Sequence, residues 1–144
     1  MKDAILQETV TRIGNVLGTE LETLTVERVV IGIFFTGVKL SNGMGGLCFT
    51  PIKAIPQAVC CPSSARAMPH SGKLAGESVM ASINRLSTGG PLQRSLSIAV
   101  LNALSATCWQ KQPPQEYQLR LGIDPVDETP IPPDAVVVVI GALV

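Results

Sequence analysis

The sequence predicts an α+β fold: a three-stranded antiparallel meander packed by helices, followed by one isolated C-terminal strand. Three observations carry this reading. Asn42-Gly43 stands between two β-rich runs, and Asn-Gly is a preferred pair for a tight hairpin turn. Apolar residues recur at helical spacing before this hairpin and again from residue 74 onward. The chain closes on Ala135-Val136-Val137-Val138-Val139-Ile140-Gly141-Ala142-Leu143-Val144, a run typical of a strand buried on both faces of a parallel sheet.

Residues 3–17 predict a helix, with Ile5, Leu6, Val10, Ile13, Val16 and Leu17 near a 3.6-residue period and Gly18 as its stop. The meander is expected over about 25–32, 33–41 and 44–50. A two-residue turn at Asn42-Gly43 sets Ser41 opposite Met44, Val38 opposite Leu47, Gly37 opposite Cys48 and Thr36 opposite Phe49. Side chains alternate along a strand. That register gives a core face of Thr36, Val38, Leu40, Leu47 and Phe49. The other face carries Gly37, Lys39, Gly46 and Cys48 and is nearly bare. Strand glycines often mark close approach by a ligand or another backbone. A bulge near Gly45-Gly46 would shift the register.

Residues 51–74 form a long proline-containing loop. A helix is expected over 75–87, with Leu74, Val79, Ile83 and Leu86 on one side, ended by Thr88-Gly89-Gly90. Pro91 suits the first turn of the next helix. That helix is apolar around much of its circumference (Leu92, Leu96, Ile98, Ala99, Leu101, Leu104) and should lie centrally. The domain is drawn as 1–106. Residues 107–134 are polar and proline-rich and predict a linker, with a short extended piece at Tyr117–Leu121. Residues 135–144 then read as the first strand of a second, truncated domain, or as a tail that adds to a sheet edge or another chain.

The chain has 144 residues, 46% hydrophobic and 15% charged, with 11 basic and 11 acidic side chains. One core is comfortable at this length. A net charge of zero argues against nucleic-acid and membrane-surface roles, which both rest on a basic excess. No run reaches the ~18 apolar residues of a membrane span. The acidic N-terminus is unlike a signal peptide, so a cytoplasmic location with reduced cysteines is expected. Low charge also favours association with another domain or subunit, including a homo-oligomer.

Few residues point to chemistry. Cys60, Cys61 and His70 form the one metal-type cluster, suited to thiophilic transition metals. Their spacing fits no standard zinc motif, and the alternative is a buried small cysteine beside an incidental one. Ser71-Gly72-Lys73-Leu74 resembles part of a phosphate loop but lacks the glycine at 67 and the hydroxyl at 74. Ser71 and Lys73 are still candidates for holding an anion near the start of the next helix, against an ordinary surface loop. Asn102, in a run of apolar helix residues, must find a hydrogen-bond partner if buried. That partner is a ligand, a neighbouring domain or a loop backbone. Glu77 suits the dipole of a helix start, with cation ligation as the alternative. With one histidine and no acid–base dyad, no catalytic set is assigned.

Four segments carry a family resemblance: Thr36-Gly37-Val38-Lys39-Leu40, Gly45-Gly46-Leu47-Cys48-Phe49-Thr50, Gly72-Lys73-Leu74-Ala75-Gly76 and Ile98-Ala99-Val100-Leu101-Asn102-Ala103-Leu104. Together they resemble the N-terminal domain of the "putative heavy-metal chelation" proteins, a prokaryotic family of unknown function. The resemblance runs from about residue 5 to the end of the chain. It implies a domain similar to the N-terminal domain of enolases, followed by a Rossmann-like domain whose opening strand is similar to Val136–Gly141. It also implies a metal or metal-containing cofactor in the cleft between domains, with Thr36, Gly37, Ser71, Lys73 and Asn102 on the cleft side.

Three functions follow as expectations. The first is non-enzymatic binding of a metal ion or metal-containing cofactor in a cleft shared with a second domain. The second is the N-terminal part of an enzyme whose catalytic groups lie in the Rossmann-like domain. The third is an assembly module.

Overall fold

The structure is a computed structural model, and it describes residues 3–54, 72–113, 115, 120 and 122–138. Cys60, Cys61, His70, Ser71 and most of the Tyr117–Leu121 piece therefore lie outside the described residues.

The element order is α1 (Ala4–Leu17), α2 (Glu20–Thr23), β1 (Val26–Ile31), β2 (Phe35–Leu40), β3 (Gly45–Phe49), a 3-10 turn (Ile52–Ala54), α3 (Val79–Asn84), α4 (Pro91–Lys111) and α5 (Pro125–Glu128). The fold is α+β, with an antiparallel sheet ordered β1-β2-β3. The chain separates into two compact units, Met1–Pro113 and Pro114–Val144.

In the first unit, α1 starts at Asp3, whose side chain accepts from the Leu6 N–H. It stops at Gly18, where φ is +54°. Its periodic stripe buries Ile13 and Leu17. Helix α4 begins at Pro91, and the Gln93 side chain accepts from the Gly90 N–H. It carries Leu96, Ala99, Val100, Leu101, Ala103 and Leu104 into an aliphatic core with Val26, Val38 and Leu40 of the sheet and Val79 and Ile83 of α3. This central position is the one its apolar circumference predicts. Every described buried side-chain N or O atom has a hydrogen-bond partner.

The hairpin departs from the expected register by one residue. Phe35 pairs with Phe49, Thr36 with Cys48, Gly37 with Leu47 and Val38 with Gly46. The loop has three residues, Ser41-Asn42-Gly43, instead of two. The Gly43 N–H donates to the Leu40 carbonyl, and Leu40 N–H donates to the Met44 carbonyl across the loop. Gly43 takes the left-handed conformation, with φ at +86°. This is the three-residue hairpin in which glycine closes a turn with a bulge. Asn42 fixes it from both ends of its amide, accepting from Met44 N–H at 3.1 Å and donating to Thr107 Oγ1 of α4 at 3.0 Å.

A one-residue slip turns every side chain of β3 to the other face. Leu47 and Phe49, expected in the core, are exposed on the outer face of the sheet. Gly46 and Cys48, expected on the bare face, point toward α4. The close approach is by backbone: a Cβ on Gly46 would lie 2.2 Å from the Ala99 carbonyl oxygen and 2.4 Å from the Ala103 nitrogen.

The expected helix over 75–87 is shorter. Residues 76–79 first run beside β1: Val26 N–H donates to the Glu77 carbonyl, Gly76 N–H to the Val26 carbonyl and Val79 N–H to the Leu24 carbonyl. Only then does Ser78 cap α3 by accepting from Met80 N–H. Leu74, Val79, Ile83 and Leu86 are all buried, as their spacing implies.

The second unit contains α5 and an ion pair between Arg120 and Glu128. Residues 135–138 belong to no strand, and Val136, Val137 and Val138 are exposed.

Candidate functional site

The sheet has two faces of different character. Toward α4 point Val29, Ile31, Thr36, Val38, Leu40, Gly46 and Cys48. Away from it point Arg28, Val30, Phe35, Gly37, Lys39, Gly45, Leu47 and Phe49, as strand alternation requires. No described element of the first unit covers this outer face. It forms three rows across the strands: Arg28, Lys39 and Gly45; then Val30, Gly37 and Leu47; then Phe35 and Phe49.

A groove of about 700 Å³ opens at the first two rows, lined mainly by Arg28, Val30, Gly37, Lys39, Gly45 and Leu47, and reached by Asn102. Gly45 leaves its floor open, Leu47 leans over Gly37 with its Cδ2 3.1 Å from where a Cβ would stand, and Val30 gives an apolar wall. Its charged groups are both cations. Lys39 is bonded to Glu27 at 2.7 Å, with both side chains about half exposed. Arg28 makes no ion pair among the described residues. An exposed pair such as Lys39–Glu27 holds its partner weakly, on the order of 0–1 kcal/mol, so Lys39 can turn to a ligand at little cost.

The other sequence candidates are placed apart. Thr36 is fully buried on the helix side, where its hydroxyl lies 2.9 Å from that of Thr50. Thr36 and Gly37 thus sit on opposite faces. Asn102 is exposed, and its amide N–H donates to the Leu47 carbonyl of β3 at 2.7 Å, a backbone partner on a strand rather than a loop. Ser95, two turns earlier, donates to the Phe49 carbonyl at 2.7 Å. Both carbonyls lie on the free edge of β3, so α4 occupies acceptors that another strand would need. Lys73 is exposed and precedes α3 by six residues, in a segment whose Gly76 and Glu77 N–H groups are spent within the fold. Glu77 holds Arg85 through two hydrogen bonds, at 2.5 and 3.1 Å, and accepts from Ser82 at 3.1 Å. That network braces α3 and leaves no role for Glu77 as a cation ligand. Among the described residues no cluster of three or more His, Cys, Asp or Glu side chains is placed to hold a metal ion. None of the described helices is long and apolar enough to cross a membrane.

Sequence reasoning found Gly37 and Lys39 on the open face but missed Arg28 and Gly45, and placed Leu47 and Phe49 inside. The signal was present in Gly43: a glycine that admits a left-handed residue also admits the longer loop.

Fold and face together define an α+β domain with one open, glycine-floored sheet face. The chain belongs to the family described as "Putative heavy-metal chelation", whose profile matches residues 15–105. A crystal structure of a protein of unknown function from Desulfitobacterium hafniense is similar over 65% of this chain, at 15% identity and a TM-score of 0.40. The similar region spans 35% of that longer chain. No curated protein matches.

Proposed function

We propose that this chain binds a metal-containing cofactor without transforming it, in a cleft shared with a second, Rossmann-like domain or another subunit. One observation carries the reading: the groove combines side-chain-free strand positions at Gly37 and Gly45, the first overlain by Leu47, with two cations, Arg28 and Lys39, and no carboxylate among its lining residues. A bare metal ion needs thiolate, imidazole or carboxylate ligands, and the groove offers none. A complex that brings its own ligands fits better. Its flat apolar part would lie on the floor, and its anionic groups would meet Arg28 and Lys39. The family description supports a metal in the ligand. A bare ion falls instead to Cys60, Cys61 and His70, which lie outside the described residues.

Titration separates the two. Zinc, copper(I), nickel and cobalt are measured against the chain and against a Cys60/Cys61/His70 triple variant. Iron protoporphyrin and cobalamin are measured against the chain and against Arg28→Glu/Lys39→Glu and Gly37→Val. The groove reading expects binding of a complex that both groove variants abolish. Binding of ions alone, lost in the triple variant, replaces it with the thiol site. No binding of any of these probes would refute both.

A further inference from the structure

We infer that Asn42 is a site of spontaneous covalent modification that the fold protects. The closed hairpin holds it as asparagine. An opened hairpin lets it convert to isoaspartate, after which the same hairpin no longer closes.

The chemistry is local. Of the four asparagines, Asn15, Asn42, Asn84 and Asn102, only Asn42 precedes a glycine. A glycine nitrogen reaches the preceding side-chain amide with no Cβ of its own in the way. The Gly43 nitrogen attacks Asn42 Cγ and the N–Cγ bond forms. The Cγ–Nδ2 bond breaks, and ammonia leaves with the Gly43 proton. Water then opens the resulting succinimide at either carbonyl. One opening gives aspartate. The other gives isoaspartate, in which the main chain runs through the former side chain. Water is the sole co-reactant.

The fold engages each group that this step needs. The attacking N–H of Gly43 donates to the Leu40 carbonyl at 2.9 Å. The leaving Nδ2 donates to Thr107 Oγ1 at 3.0 Å, and Oδ1 accepts from Met44 N–H at 3.1 Å. While both amide contacts hold, Cγ is not free to swing onto the Gly43 nitrogen. Asn42 is exposed, so water reaches it without unfolding. Protection therefore comes from these hydrogen bonds and not from burial, and it ends when the hairpin opens locally.

The product does not fit the closed hairpin. Thr107 is buried and its hydroxyl donates to the Ala103 carbonyl at 3.0 Å, so toward residue 42 it can only accept. An aspartate at 42 has no proton to give at neutral pH and sets an oxyanion against that oxygen. Isoaspartate also adds a methylene to the main chain of a three-residue loop, and loop length sets the register of β2 on β3. Conversion thus undoes the point where the hairpin is tied to α4.

Ageing the full chain in mildly alkaline buffer, with and without guanidinium chloride, tests this. Peptide mass spectrometry follows the amide-to-acid mass gain at all four asparagines, and isoaspartate-specific enzymatic methylation identifies the product. In denaturant, Asn42 should convert well ahead of the other three. In the folded chain it should convert at least about tenfold more slowly than in denaturant, because the hairpin opens only rarely. Thr107→Val removes the acceptor and should speed conversion in the folded chain about fivefold, as loss of one hydrogen bond implies, with no change in denaturant. Thr107→Ser should keep the wild-type rate. Modified chain, separated by its added negative charge, should unfold at a lower denaturant concentration than unmodified chain taken through the same cycle. Equal Asn42 rates in folded and denatured wild type overturn the inference. So does a folded Thr107→Val chain that converts at the wild-type rate, or modified chain that regains the wild-type midpoint. Far-UV circular dichroism shows whether Thr107→Val is folded; if it is not, the wild-type comparison and the midpoint decide.

Discussion

Gly46 meets Ala99 across the sheet–helix interface so closely that a Cβ on the glycine would stand 2.2 Å from the Ala99 carbonyl oxygen. The backbones of β3 and α4 touch there, and the distance between the two layers is set by the missing side chain. Gly46→Ala forces α4 away from the sheet, because the clashing atoms are backbone and cannot rotate aside. The expected loss is about 3 kcal/mol or more, at the high end for overpacking. Chemical denaturation measures it. The Ala variant of Gly45, whose Cβ would meet only the Val38 carbonyl at an ordinary 3.6 Å, should lose much less.

Asn102→Leu removes the hydrogen bond to the Leu47 carbonyl but keeps the side-chain volume. The residue is exposed, so water replaces the partner and the stability loss should be modest, about 1 kcal/mol. The larger effect is on solubility. An acceptor on the edge of β3 becomes available to another strand, and aggregation on heating should increase. Light scattering during a thermal ramp compares the variant with wild type. Equal aggregation would mean that Asn102 has no role in guarding the edge.

Thr36 and Thr50 satisfy one another inside the protein, at 0% and 2% exposure. Thr36→Val leaves the Thr50 hydroxyl without this partner, at a cost of about 1–3 kcal/mol. Thr36→Val/Thr50→Val removes both polar groups while keeping their shape. It should recover most of that loss, because replacing both partners is nearly neutral. A double-mutant cycle from denaturation curves reads the coupling directly. Additive losses would show that the two hydroxyls do not depend on each other.

Cys108, on α4, lines a pocket with Thr9, Ile13 and Val16 of α1. Burial pushes its thiol pKa up; nearby Lys111 lowers it and Glu20 raises it, both to a smaller extent. Lys111 and Glu20 are themselves ion-paired, so their fields partly cancel. The folded-state pKa is therefore above the unfolded value. The folded state holds the proton more tightly, so this thiol's contribution to stability is complete below the unfolded pKa and is lost as pH rises through the folded one. Alkylation of Cys108 should accordingly need a higher pH in the folded chain than in denaturant. Peptide mass spectrometry after pulses of iodoacetamide across pH gives both midpoints. Coincident midpoints would contradict the expected shift.

Much of the fold was legible in the sequence. The period of α1, the apolar circumference of α4 and the two β-rich runs around Asn42-Gly43 are local properties; α1 and the strands appear with nearly the expected bounds, whereas α4 runs on to Lys111, inside the stretch from 107 expected as linker. The burial of Leu74, Val79, Ile83 and Leu86 follows from spacing alone. The candidate site was legible only in part. Gly37 and Lys39 belong to the open face in either register, because the alternation of β2 fixes it.

What the tertiary structure decided is which face of β3 meets the core. With a side-chain period of two, one extra loop residue reverses the answer. The sequence permits both loops, since Gly43 suits the two-residue and the three-residue turn alike. The choice falls to contacts made far along the chain. Asn42 bonds to Thr107, Asn102 and Ser95 bond to the edge of β3, and only a glycine at 46 admits the backbone of α4. Likewise, the pairing of residues 76–79 with β1 delays α3 beyond its local pattern. Local pattern chose the elements; long-range packing chose their faces, and with them the residues that can meet a ligand or a partner.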